Sequence, residues 1–504
     1  MPEPSPSPPS SPPDLLSPSS SGGGQASAPS GLRTLRRDLG PWASASIVVG
    51  TIIGTGVFLK TARMAQLGGS PLWVLAAWAA AGVLSFTGAM TYSELGGMFP
   101  SSGGEYVYLS HGYGPAMGYL YAWNRFWIVT PASVAAYAVG SATFFSTAAP
   151  LDGFAVPFVG IWIWNIQLAP ASLSGVQVVG IAIIIAFTAI NCLNVRSGGR
   201  LQTALTVMKG AMILGLAGGA LFAPAGHWGH LAAGAAFPGW SAFGAMVLAA
   251  LWAYDGWNNL PMAAGEIRDA RRNLPRATIG GMIAVLATYA LVNLGYFHAL
   301  PFADVATASS DAYPDAPAVA ARAATTFLGG TAQIALAIAM TISAVSAMNG
   351  SILTGARVPY AVARDGLAPA ALARLSEGAR VPTISVVVQG ALSCLLALSG
   401  SFDDLTDAVV FASWLFYALN TGTVLRLRRR EPDRDRPFRV PGFPIVPLVF
   451  IGLAILLIAN TIWTSPRPSA MGLGATALGG VVYFIFLRGK PRPDAQSTAR
   501  DPED

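Results

Sequence analysis

The chain has 504 residues, of which 53% are hydrophobic and 11% charged, with a net charge of +6. Soluble domains carry about 25% charged residues, so this composition excludes an ordinary soluble protein. Runs of about 20 apolar residues recur along the chain, the length a membrane-spanning helix needs.

Residues 1–37 open with a Pro-, Ser- and Gly-rich tract that has almost nothing to bury. A disordered tail is expected there, since the basic start and apolar core of a signal peptide are absent. Twelve spans are expected near 41–66, 72–98, 115–147, 172–195, 201–223, 239–263, 277–300, 330–356, 382–400, 403–425, 443–463 and 469–487. Residues 491–504 form a second tail. The expected fold class is an all-α polytopic membrane protein.

Basic residues alternate with these spans. Arg33, Arg36 and Arg37 precede the first; Arg196 and Arg200 follow the fourth; Arg268, Arg271, Arg272 and Arg276 follow the sixth. Arg364, Arg374 and Arg380 follow the eighth, "RLRRREPDRDRPFR" the tenth, and Arg488, Lys490 and Arg492 the twelfth. All these loops fall on one side, which the positive-inside rule makes cytoplasmic, with both termini. The net charge thus reflects topology and gives no sign of nucleic-acid binding.

Two spans are interrupted. Span one contains "GTIIGTGVFL", 50–59, and span six contains "LWAYDGWNNLP", 251–261. Breaks five spans apart suggest two inverted five-span halves, about 41–223 and 239–425, followed by two extra helices within 443–487. The halves share no clear sequence identity, so this inference rests on position. Irregular backbone at membrane depth survives only in a protein-lined or water-filled cavity. Unwinding frees N–H groups, which suit a carboxylate, and carbonyls, which suit an ammonium. A zwitterion fits both. The alternative is that these glycines only permit close helix packing.

Lys209 stands deep in span five. A charge there costs at least ~2.5 kcal/mol unless it is paired or faces water; the alternative is a side chain that snorkels to the interface. Arg125 lies within span three and has two readings: it reaches the interface, or it pairs with an acidic residue such as Glu94. Glu94 and Glu105 flank the loop after span two and are expected in an inward-gate network. His227 and His230 read as solvated loop residues, with no nearby carboxylate to complete a metal site. Cys192 and Cys394 both lie in apolar segments and imply no disulfide framework. There is no HExxH motif and no paired catalytic constellation, so neither an enzyme nor a cofactor is expected.

Four stretches together resemble the amino acid–polyamine–organocation superfamily, and within it the L-type amino acid transporter branch. They are "VVGTIIGTGVF", "YSELGGMFPSSGGEYVYL", "WAYDGWNNL" with "GEIRDARRNLPRA", and "SAMNGSILTGARVPYAVARDGLAP". The resemblance covers residues 38–490 and implies a LeuT-type fold of about twelve transmembrane helices, alternating access, and a plasma- or inner-membrane location. It implies that Gly54, Thr55 and Gly56 hold a substrate carboxylate through backbone N–H groups. The carbonyls of Thr51, Ile52 and Trp252 then face the α-amino group, with Ile53 in the same unwound segment. Trp252 matches a gating aromatic, Ala253 and Asp255 line the pocket, and Ser346 and Asn349 are outer pocket residues. Lys209 matches a lysine that replaces sodium, which implies sodium-independent exchange of neutral amino acids.

Asp255 has more than one reading: contact with a cationic substrate side chain, as in members that take dibasic amino acids, or a structural or gating role. A cationic amino acid or polyamine carrier, proton-coupled or not, and an amino acid sensor without flux remain the alternatives. Eukaryotic L-type light chains carry a cysteine between spans three and four for linkage to a glycoprotein. Residues 147–172 contain none, so a bacterial stand-alone carrier, with its amino acid and membrane lipid as partners and no disulfide-linked heavy chain, is expected.

Overall fold

The computed structural model describes residues 35–489 other than 152–153, 158–160, 164–165, 170–171, 235, 311, 314–315, 400–401 and 465. The C-terminal tail and nearly all of the N-terminal one lie outside the described residues. Among the described residues eight helices are long and apolar enough to cross a membrane. Shorter apolar helices, Trp240–Ala253, Thr383–Leu398 and Gly472–Leu487, and the helix Phe402–Arg430 fall on the other expected stretches. The chain is an all-α polytopic membrane protein.

Span one is two helices, Pro41–Ile52 and Gly56–Gly68. Span six is the helix Trp240–Ala253, a run of turns, and a 3-10 segment, Leu260–Glu266. Both expected breaks are therefore present. The first half of span one packs against spans five, seven and eight, and its second half against span six. Small residues permit this closeness. A Cβ on Gly56 would lie 2.5 Å from Ala253 Cβ and 2.8 Å from its Cα.

Several boundaries differ from the sequence reading for local reasons. Span five starts at Val195, because the Asn194 side chain accepts from the Ser197 N–H and caps the helix immediately after span four. Arg196 and Arg200 thus ride on its first turns. Span four starts at Gly175, where Ser174 and Gln177 form a capping box. Span seven runs Ala270–Ala299. The region between spans three and four carries two antiparallel pairs, Ala155–Pro157 with Ser172–Ser174 and Ile161–Ile163 with Ile166–Ala169. Short helices Glu105–Tyr113, Phe302–Ala306, Val319–Leu328 and Arg357–Arg364 complete the connections.

The end where the chain enters span one is held by buried charge. Leu39 N–H donates to the Glu266 carbonyl and Arg268 N–H to the Leu39 carbonyl, both at 2.9 Å. The Glu266 carboxylate accepts from Arg357 Nε at 3.0 Å and Nη2 at 2.9 Å, with both side chains at most 1% exposed. Glu94 accepts from Arg428 Nε at 2.8 Å, Arg428 Nη2 at 2.6 Å and the Val440 N–H at 2.7 Å.

A fork-shaped pair without solvent is expensive to break on one side only. Arg357→Met should lower stability by about 3–5 kcal/mol by leaving Glu266 buried and alone. Adding Glu266→Met should recover much of that loss. Thermal unfolding of the purified protein in detergent reads both; a single variant as stable as wild type would remove the pair from the set of stabilising contacts.

Candidate functional site

The two breaks meet at the centre of the bundle. Span one stops at Ile52; Ile53 is extended, with φ −72° and ψ 92°, and helix resumes at Gly56. The carbonyls that lose their helical partners are served by side chains from other spans. Lys209, 0% exposed, donates from Nζ to the Gly50 carbonyl at 2.6 Å and to the Ile53 carbonyl at 2.5 Å. Ser343 Oγ lies 3.1 Å from the Ile53 carbonyl oxygen and 2.9 Å from that of Gly54. Tyr289 Oη reaches both breaks: it lies 3.3 Å from the Ile52 carbonyl oxygen and 2.8 Å from that of Ala253.

The N–H groups tell the opposite story. Among the described residues, those of Gly54, Thr55 and Gly56 donate to no backbone acceptor. They sit at the start of the 13-residue helix Gly56–Gly68, where N–H groups and the positive end of the macrodipole favour an anion. A Cβ on Gly54 would have no heavy atom nearer than Tyr137 Cε1 at 3.5 Å, so the backbone there is open to one side. Gly56 differs, since its α-carbon faces Ala253.

Span six breaks through a glycine turn. Gly256 has φ +116°, which favours glycine, and a Cβ there would strike the Thr51 carbonyl oxygen at 2.8 Å. Thr51 Oγ1 lies 3.0 Å from the Gly256 carbonyl oxygen and 2.7 Å from that of Ile47. The Trp252 carbonyl accepts from the Asp255 N–H at 3.3 Å. Asp255 accepts from the Tyr417 hydroxyl at 2.8 Å.

Ser346 and Asn349 stand elsewhere in span eight, both fully buried. Asn349 donates to Gln202 at 2.8 Å and accepts from Asn191 at 2.9 Å, while Gln202 Nε2 lies 3.4 Å from Ser346 Oγ. Thr206 of the same network donates to the Ser46 carbonyl at 3.0 Å. This cluster pins the first half of span one rather than its break. Arg125 does not reach Glu94, which Arg428 occupies; its Nη2 donates to Asn259 Oδ1 at 2.5 Å. His227 accepts from the Gly229 N–H at 2.9 Å, and no group of three or more metal-ligating side chains occurs among the described residues.

Sequence reasoning did not single out Ser343, Tyr289, Gln202 or Tyr417. Ser343 carried a weak signal: it lies one helical turn before Ser346, on the same face of span eight. Tyr289 and Tyr417 carried none, because an aromatic in an apolar span reads as packing.

The amino acid permease family model matches residues 39–486. A serine/threonine exchanger of Bacillus subtilis is 28% identical, over 90% of this chain and 98% of its own length. The human b(0,+)-type amino acid transporter 1 is 30% identical over 91% of this chain and 89% of its own. The human cystine/glutamate transporter is 27% identical over 91% and 87%. The chain belongs to the amino acid permease family.

Removing the Lys209 amino group should leave buried carbonyls uncovered, each at a cost of about 1–3 kcal/mol. Lys209→Met, similar in length and uncharged, should lower the melting temperature and reduce transport, whereas Thr203→Ala in the same span should do neither. Unchanged melting and flux in Lys209→Met would show that the break holds without it.

Proposed function

We propose that this member of the amino acid permease family exchanges neutral L-amino acids without sodium, by alternating access. One observation carries this reading: Lys209 and Ser343 occupy the freed carbonyls of the span-one break, while the N–H groups of Gly54–Gly56 stay available. The donors suit a carboxylate. The ammonium of Lys209 supplies the positive charge and hydrogen bonds that a bound cation would otherwise supply, and it cannot dissociate. The substrate's α-amino group lies against the carbonyls of Thr51, Ile52 and Trp252, with Ile53, Ala253 and Asp255 close by. Ser346 and Asn349 act through the first half of span one.

Trp252 covers the bound substrate, the Glu94–Arg428 and Glu266–Arg357 pairs close the opposite, cytoplasmic end, and Glu105 stands between that end and the breaks. Opening inward then requires these charge clusters to separate. The relatives' names, a serine/threonine exchanger among them, support exchange. The distribution of arginines supports an inner-membrane protein with both termini cytoplasmic. The absence of cysteine from residues 147–172 supports a carrier without a disulfide-linked heavy chain. Two halves, about 41–223 and 239–425, with extra helices within 443–487, suit the positions of the breaks.

Three measurements test the reading. Replacing sodium by choline should leave initial uptake into proteoliposomes unchanged, and a large loss of flux would overturn the role given to Lys209. Gly54→Ala places a methyl group where the substrate carboxylate approaches, in space the protein leaves open. Losing one charge-assisted hydrogen bond costs about 1.5–3 kcal/mol, so binding should weaken roughly 10- to 150-fold. Normal binding by a folded Gly54→Ala, or amines competing as well as their parent amino acids, would place the carboxylate elsewhere. Trp252→Ala should reduce turnover more than Trp252→Phe, because an aromatic lid excludes water; equal wild-type turnover in both would remove Trp252 from the gate.

A further inference from the structure

Arg125 has no part in the arrangement above, and its surroundings are unusual. It begins a π-helical turn, Arg125–Val129, within span three, and is 7% exposed. Among the described residues its guanidinium has one hydrogen-bond partner, the neutral Asn259. Among the described residues no carboxylate lies within 4.0 Å of it, although Asp255 and Glu105 are both within reach of its field. Glu105 is already satisfied: Tyr92 and Tyr121 donate to it at 2.5 Å each, Asn258 at 3.1 Å and Asn420 at 3.4 Å. Among the described residues, Asp255 has only the Tyr417 hydroxyl as a side-chain partner.

Arg125 and Tyr417 line one small cavity with Tyr121, Asn124 and Ser413. It has room for the centre of a water-sized sphere over ≈ 10 Å³, about enough for one water. Among the described residues, three buried polar atoms on its lining residues have no hydrogen-bond partner: Asn124 Oδ1, Arg125 Nε and Ser413 Oγ. Native interiors leave few such atoms, and two of the lining residues reach the span-six break: Arg125 donates to Asn259, and Tyr417 donates to Asp255. Further along span three, the Tyr137 ring faces Gly54 at the span-one break.

We propose that Arg125 is a resident cation at the side-chain end of the substrate site, and that it makes the site reject dibasic amino acids despite Asp255. This rests on the breaks being the amino acid site. A lone carboxylate at the span-six break would attract an ammonium or guanidinium on the substrate side chain. The fixed guanidinium already answers that carboxylate, and a second cation in the same low-dielectric space meets a like charge. Neutral side chains meet no such repulsion. Arg125 is therefore a specificity-determining residue, and Asp255 is its counter-charge.

The test is competition during counterflow into proteoliposomes, using whichever of labelled L-alanine, L-serine and L-leucine the wild type takes up fastest. Unlabelled L-arginine and L-ornithine are the competitors, with unlabelled neutral substrate as reference. Wild type should ignore both dibasic amino acids. Arg125→Gln keeps a donor for Asn259 and removes the charge. It should lower the concentration of L-arginine needed for half-inhibition about tenfold or more relative to the neutral reference. Adding Asp255→Asn should reverse that gain. Ser413→Asp is a second route: it leaves Arg125 in place, neutralises it from across the cavity, and should also admit L-arginine. Wild-type protein inhibited by L-arginine as strongly as by the neutral reference overturns the proposal, as does an unchanged ranking in a folded Arg125→Gln or Ser413→Asp. Absence of counterflow with every neutral amino acid would instead overturn the functional reading beneath it.

Discussion

The contact on which the centre of this protein depends is the pair of hydrogen bonds from Lys209 to the carbonyls of Gly50 and Ile53. A helix interrupted at membrane depth exposes carbonyls that lipid cannot serve. Without donors from elsewhere, span one would be driven to close its own hydrogen bonds and become continuous. Lys209 prevents this from span five, and Ser343 and Tyr289 assist from spans eight and seven. A buried amino group needs acceptors as much as the carbonyls need donors. Each side removes the desolvation cost of the other.

The same arrangement leaves the N–H side of the break unsatisfied, and this asymmetry points the site at an anion. Carbonyls of the break are covered by side chains of the protein, whereas the N–H groups of Gly54–Gly56 donate to no backbone acceptor among the described residues. The glycines that surround the break do not act alike. Gly54 has space in front of it, Gly56 lets two helices meet at Ala253, and Gly256 turns the chain over the Thr51 carbonyl. A single sequence feature, glycine in an apolar run, thus serves three physical ends.

Buried charge divides the molecule by depth. At the end near Leu39, Glu94 and Glu266 are each matched to an arginine fork. Nearer the breaks, Glu105 is held by tyrosines and asparagines, and Arg125 by Asn259. Fork pairs are stiff and specific, and breaking one is costly. Neutral donors hold a charge without cancelling it.

The sequence alone determined the class, the positions of the spans, the two interrupted helices and the depth of Lys209. Each of these is written locally: a run of apolar residues is long enough or not, a Gly–Thr or Asp–Gly interruption is present or not, and a lysine in an apolar run is conspicuous. The sequence also located the segment 50–59 as the place to look, and it left Arg125 with two readings. Tertiary structure decided what each local feature does. Lys209 and Gly50 are 159 residues apart, and no period in the chain relates them. Whether Gly56 opens a space or fills one depends on Ala253 in a different span. Ser346 and Asn349 face Gln202 and Asn191 because of the rotation of span eight against spans four and five. Ser343, Tyr289 and Tyr417 gained meaning only when their hydroxyls were placed against backbone or carboxylate oxygens. Hydrogen bonding across a bundle is set by which helix faces meet, and that follows from the packing of all the spans together.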